Sequence, residues 1–138
     1  MKPNQTCKVF QIKGEIDLED SLQLSTLISE ELKKGITKIV LDLSKVDHLH
    51  VQGIPFLAER AYRLREYGGD MKLVGASEYL KNVIILTEFQ QAFDYCKSEG
   101  DAIKKFENEI PSRILPLNFE ALRYLNRASK FRIRIFHK

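Results

Sequence analysis

Tryptophan is absent from the 138 residues, and cysteine occurs only at Cys7 and Cys96. Two thiols so far apart make no disulfide framework and have no metal-ligand spacing. No apolar run approaches the roughly 18 residues a membrane-spanning helix needs. The opening MKPNQTCKVF lacks the long apolar region of a secretory signal. A reduced, cytoplasmic setting is the expectation. No glycine-rich phosphate cradle and no nucleophile elbow is found, and Ser44 with the nearby histidines is the only candidate for nucleophilic chemistry. Enzymatic activity is therefore not expected. Acidic residues are nearly missing from one end. Residues 111–138 hold seven Lys/Arg against Glu120 alone, a net of +6, whereas residues 1–110 hold 15 Lys/Arg and 18 Asp/Glu, a net of −3. That asymmetry divides the chain into a domain over 1–109 and a basic C-terminal extension over 110–138.

What is present is an alternation of short apolar runs and helical stripes. Lys8–Lys13 alternates as a first strand, and Glu15–Leu18 reads as a second short strand or an extended link. Asp20 or Ser21 is placed to cap a helix with Leu24, Leu27, Ile28 and Leu32 as its apolar stripe, ended by Gly35. Lys38–Leu43 follows as a buried strand. The next stretch, Ser44–Gln52, reads as a polar loop anchored by Val46, Leu49 and Val51. From Gly53 a second helix begins, with Pro55 in its first turn and Ile54, Leu57, Ala58, Ala61 and Leu64 on one side. Its Arg60, Arg63 and Arg65 read as a solvated face, or as charges that steer an acidic partner. Gly68-Gly69 stops it. Met71–Gly75 reads as a strand, Ser77 as the cap of a third helix, Phe93–Cys96 as a last strand and Asp101–Glu107 as a last helix. Such alternation implies an α/β sandwich with a mainly parallel or mixed sheet.

In the extension, Pro111 and Pro116 mark a boundary. Asn118 can cap a helix carrying Arg123 and Arg127. Lys130–Phe136 alternates as a strand, with Phe131, Ile133 and Ile135 on one face and Arg132 and Arg134 on the other. These arginines are the candidate tail contacts. The tail packs on the domain as an edge strand, pairs with a copy of itself in a homodimer, docks an acidic protein surface, or meets nucleic acid or an anionic membrane.

GEIDL at Gly14–Leu18, KIVLDLSKV at Lys38–Val46, Gly53, YGGDMKLVG at Tyr67–Gly75 and LTEFQQAFDYCKSEGDAI from Leu86 resemble the STAS domain family of the anti-sigma factor antagonist type. The likeness spans roughly residues 8–107. It implies a four- to five-stranded mixed sheet with helices mainly on one face, no cofactor and no catalytic activity. It also implies a role in transcription regulation and signal transduction, through binding an anti-sigma factor that is a GHKL-type kinase, or another regulatory protein. In the family that kinase phosphorylates a serine of an Asp-Ser-Ser/Thr-Gly motif before the second helix. Aligned on Gly53, this chain reads His50-Val51-Gln52-Gly53, so Val51 stands at the phosphoacceptor position without a hydroxyl. The partner-binding surface expected from this is Asp47, His48, His50, Val51, Gln52, Gly53 and Ile54, with Gly53 admitting the partner's backbone and Asp42 and Ser44 setting the loop's exit.

Bland and rival readings stand beside it. His48 and His50 point the same way near Asp42 and Asp47, but spacing specifies no further metal ligands, so no metal is expected. His50 reads as a polar loop residue or a pH-sensitive contact. The rival function is a scaffold subunit of a larger complex, tethered by the basic tail; a weaker one is an anion sensor at a helix N-terminus.

Overall fold

The computed structural model describes residues 7–108. Within these residues four strands and four α-helices alternate: β1 (Cys7–Ile16), α1 (Leu18–Lys33), β2 (Lys38–Leu49), α2 (Ile54–Glu66), β3 (Asp70–Val74), α3 (Glu78–Leu86), β4 (Asp94–Cys96) and α4 (Glu99–Asn108). The strands lie in the order β1-β2-β3-β4, and all three neighbouring pairs are parallel. Among the described residues the sheet is thus a parallel one of four strands, where a mixed sheet of four to five was expected. β1, β2 and β3 are each followed by a helix that carries the chain back to the starting end, and right-handed crossovers taken in one direction place these three helices on one face.

The core records this. Ile39, Leu41 and Leu43 of β2 pack with Leu24 and Ile28 of α1, Leu57, Ala61 and Leu64 of α2, and Leu80 and Ile84 of α3. Val40, pointing the other way along the pleat, packs with Val74 and with Ala102 and Phe106 of α4. Helices α1 to α3 therefore cover one face and α4 the other. Among the described residues no helix is long and apolar enough to cross a membrane.

Several element ends differ from expectation for identifiable reasons. The two strands expected over Lys8–Leu18 are one, broken by register shifts between Gln11 and Lys13 and between Gly14 and Glu15. Helix α1 starts earlier than Asp20: Asp17 is its cap, accepting from Asp20 N at 2.8 Å, while Asp20 Oδ2 accepts from Asp17 N at 3.1 Å. Both orphan ends of that turn are satisfied reciprocally, which a Ser21 cap could not do. Gly35 does end the helix, at φ +93°, with Gly35 N donating to Leu32 O and Ile36 N to Glu31 O. Leu27, placed on the apolar stripe, is 46% exposed.

Strand β2 runs six residues further than expected, through Leu49. Its pairing with β3 ends at Asp42, whereas its pairing with β1 continues to Leu49. Beyond Asp42 it is half of a two-stranded ribbon, where alternate residues reach water and polar side chains are admitted. Ser44, Lys45 and Asp47 are exposed, while Val46 and Leu49 are buried. The arginines of α2 are neither a solvated face nor free for steering. Arg63 is buried and pairs with buried Glu59 at 2.8 Å. Arg60 pairs with Glu59 and donates to Ser25 O at 3.0 Å. Arg65 binds Asp70 at 2.9 Å and the carbonyls of Gln91 and Ala92. They tie α2 to its neighbours. The calls on the extension, including Arg123, Arg127, Arg132 and Arg134, lie outside the described residues.

Candidate functional site

Parallel pairing brings the ends of β1 and β2 together, with Glu15 opposite His48 and Ile16 opposite Leu49. His50 N donates to Ile16 O at 2.9 Å, which closes the ribbon. The chain then enters a 3₁₀ turn, Val51–Gly53, that feeds directly into α2. Gly53 N donates to His50 O at 3.1 Å, and Ile54 N to Val51 O. The N–H groups of Gly53 and Ile54 are thereby consumed by the turn, which weakens the reading of an open anion site at this helix start.

Of the seven expected contact residues, the turn presents some and hides others. Val51 is 44% exposed, and Asp47 and Gln52 are exposed. His48 and His50 are half-buried, with ring centroids 4.9 Å apart in an edge-to-face arrangement. Gly53 and Ile54 are buried, so neither is offered to a partner. A Cβ at Gly53 would lie 2.1 Å from Ser21 Oγ. The glycine thus admits α1, not a partner's backbone. Asp42 and Ser44 also sit elsewhere than expected. Asp42 Oδ1 accepts from Ser44 N at 3.0 Å and Ser44 Oγ at 2.7 Å, beside the first register shift of the β1–β2 ribbon and well before its exit. The carboxyl of Asp42 is held below the usual range, chiefly by a hydrogen bond with Glu99, against burial and with help from Ser44.

The structure adds residues that spacing did not reveal. His50 Nε2 donates to Glu15 Oε2 at 2.7 Å, and the Tyr79 hydroxyl lies 2.5 Å from His48 Nδ1. Glu15 reaches the site through strand register and Tyr79 through the packing of α3, neither of which a linear pattern encodes. Leu18 and Leu22, 39% and 41% exposed, stand on the first turns of α1 against which Gly53 packs. The Asp17 carboxyl between them and the turn is held low, first by the backbone N–H of Asp20 and also by nearby His50. The turn thus exposes Val51, α1 exposes Leu18 and Leu22 on the turns that flank its contact with Gly53, and the Glu15–His50 and His48–Tyr79 pairs lie at the end of the ribbon. Among the described residues no group of three or more His, Cys, Asp and Glu side chains is arranged to hold a metal. Such a surface can exclude water against a partner and fix its register by hydrogen bonds.

The parallel sheet with its helices and its exposed strand-to-helix turn defines an α/β sandwich domain. The STAS domain model matches residues 1–102, and the chain belongs to that family. A curated relative, the Bordetella bronchiseptica protein BtrV, described as an anti-sigma factor antagonist, is 23% identical over 100 residues, covering 72% of this chain and 86% of its own. Among solved structures, an anti-sigma factor antagonist from Mycobacterium paratuberculosis superposes with a TM-score of 0.62 at 25% identity, covering 72% of this chain and 85% of that one. The phosphorylated form of the Bacillus cell fate determinant SpoIIAA superposes with a TM-score of 0.56 at 20% identity, covering 70% and 87%. The chain is a STAS domain, and it is similar to anti-sigma factor antagonists.

Proposed function

We propose that this chain acts without catalysis, by docking a regulatory protein of the anti-sigma factor class against the turn Val51–Gly53 and its surroundings. The kinase-type anti-sigma factor is the partner this reading names. The observation that carries it is the placement of Val51: a large apolar side chain, 44% exposed, at the tip of the turn that joins β2 to α2. Leu18 and Leu22 add exposed apolar surface on α1, and Glu15, His48, His50 and Tyr79 supply the polar groups.

The docking is insensitive to phosphorylation at this turn. SpoIIAA exists in phosphorylated and unphosphorylated forms. A phosphate adds about −1.5 to −2 charge and would need desolvation in an apolar contact. Valine offers no oxygen to receive one, so release by that route is closed here.

The test compares two full-length baits, the native chain and Val51→Glu, in pull-downs from native lysate read by mass spectrometry. Recovery of a GHKL-type ATPase by the native bait and its loss with Val51→Glu supports the reading. Equal recovery of partners by both baits places the contact elsewhere on the molecule and sinks it.

A further inference from the structure

Helices α1 and α2 both begin at the turn Val51–Gly53, where Gly53 packs on Ser21, and both end about 20 Å away, at the opposite end of the domain. Between their ends lies a cleft of about 300 Å³, lined by Ser29, Leu32, Lys33 and Lys34 from α1 and its cap, and by Arg63 and Tyr67 from α2 and its cap. That volume falls at the lower end of the range for small-molecule sites, about 300–1,000 Å³. The walls divide by chemistry. Leu32 and Tyr67 are half-buried and offer an aliphatic and an aromatic surface, and half-buried Ser29 adds a hydroxyl. Lys33 and Lys34 are exposed on the rim, and buried Arg63 closes the cleft from below, held by Glu59 at 2.8 Å.

We infer that this cleft binds a small organic carboxylate, whose apolar body lies against Leu32 and Tyr67 and whose carboxylate is held by Lys33, Lys34 and the Ser29 hydroxyl. An inorganic anion would leave the apolar wall unused, and a neutral molecule would leave the lysines unused. Two features could oppose an anion here, and both are offset. The last carbonyls of a helix carry partial negative charge, but Glu30 O and Glu31 O accept from Lys34 N, Leu32 O from Gly35 N, and Leu64 O from Tyr67 N and Gly69 N. The nearby carboxylates are matched as well. Glu59 is paired with Arg60 and Arg63, and Glu31 lies 3.9 Å from Lys8 and 3.7 Å from Lys34. Burial pushes the Glu66 pKa up to about 7, so that carboxyl carries only part of a charge at neutral pH. With Glu30 counted, Lys8, Lys33, Lys34, Arg60 and Arg63 leave this end of the helix pair with an excess of positive charge.

The experiment titrates the full 138-residue chain with hexanoate, benzoate, benzamide and sulfate at constant pH and ionic strength, read by amide NMR shifts. Hexanoate or benzoate is expected to shift the resonances of Ser29–Gly35 and Arg63–Tyr67 and to saturate below about 10 mM, with benzamide and sulfate at least about tenfold weaker. Lys33→Gln with Lys34→Gln should weaken carboxylate binding at least about tenfold and leave the melting temperature unchanged, because both side chains are exposed. Val51→Glu should bind the carboxylates as the native chain does, which keeps this result separate from the docking proposed at the turn. The proposal is overturned by no saturable shift at these residues, or by benzamide or sulfate binding as tightly as benzoate. Equal binding by the double-lysine variant overturns it too. So do shifts confined to residues 111–138, which would mark charge pairing with the basic extension.

Discussion

Gly53 and Ser21 are packed so closely that a single methyl at Gly53 would overlap both side-chain atoms of the serine, 2.1 Å from Oγ and 2.5 Å from Cβ. The contact fixes the turn Val51–Gly53 to the first turns of α1, and thereby sets how far Val51 stands out from the surface. Gly53→Ala is expected to destabilise the domain by about 1–3 kcal/mol through overpacking. Ser21→Gly in the same chain should restore part of the loss, less the roughly 1 kcal/mol cost of glycine within a helix. A double-mutant cycle by urea unfolding reads this; additive losses would show that the two residues do not meet.

Glu66 contributes a pH dependence of opposite sign to most carboxylates. Both its oxygens are buried without a hydrogen-bond partner, and burial pushes its pKa up to about 7, with Glu59 adding and Arg63 opposing. The folded state therefore holds the proton more tightly than the unfolded chain, whose carboxyl titrates near the ordinary value of about 4.3. Stability is fully retained below that value and falls as pH rises towards 7, then levels off. Because Glu66 as a residue is only half-buried, its surroundings screen the charge and the loss is expected to be about 1 kcal/mol. Glu66→Gln should remove the decline, raising stability at pH 8 and leaving it unchanged at pH 4. Unfolding curves that stay parallel at both values would reject the assignment.

Lys72 is fully buried, 2.8 Å from Asp94, 3.3 Å from Asp70 and 4.4 Å above the ring of Phe106. It joins β3, β4 and α4. Lys72→Ala leaves two carboxylates facing a cavity, although Lys105 still holds Asp94 and Arg65 still holds Asp70. The expected loss is about 3 kcal/mol, the low end for breaking a buried pair. Burial alone would raise the Asp94 carboxyl, but hydrogen bonds from Lys105 and Lys72 outweigh it and hold the group low. Its stabilisation is thus present above the unfolded value of about 3.9 and is lost as pH falls through the lower folded one. Asp94→Asn should flatten the acid limb of the stability profile below pH 4 and leave the slope between pH 5 and 6 alone.

Val51→Ser introduces a hydroxyl at the exposed tip of the turn. If a kinase-type anti-sigma factor docks there, the variant incubated with that kinase and ATP gains about 80 Da on residues 50–53, while the native chain gains none there. Binding of the modified variant should weaken by at least about tenfold, equivalent to about 1.4 kcal/mol from the added charge. Phosphate recovered on residues 44–53 of the native chain would contradict the insensitivity proposed above.

Legibility followed local pattern. The stripe Ile54, Leu57, Ala58, Ala61 and Leu64 is buried as its spacing demands, Ser77 caps α3 by accepting from Leu80 N at 3.1 Å, and Gly35 takes the left-handed turn that ends α1. Each is written within one or two turns of chain. Leu27 failed because helical spacing marks an apolar position without saying whether the sheet beneath extends far enough to cover it. The arginines of α2 failed because their partners, Ser25, Asp70 and Gln91, come from other elements.

What the sequence by itself determined is the alternation of strands and helices, the family, and the hydroxyl-free Val51 turn, since these rest on residue identity and short-range spacing. Tertiary structure alone decided which turn residues face water. Gly53 and Ile54 are hidden because α1 and the core claim them, and Glu15 and Tyr79 enter the site because parallel register and helix packing bring them there. Burial and register are set by contacts between segments distant in the chain, so no local pattern carries them.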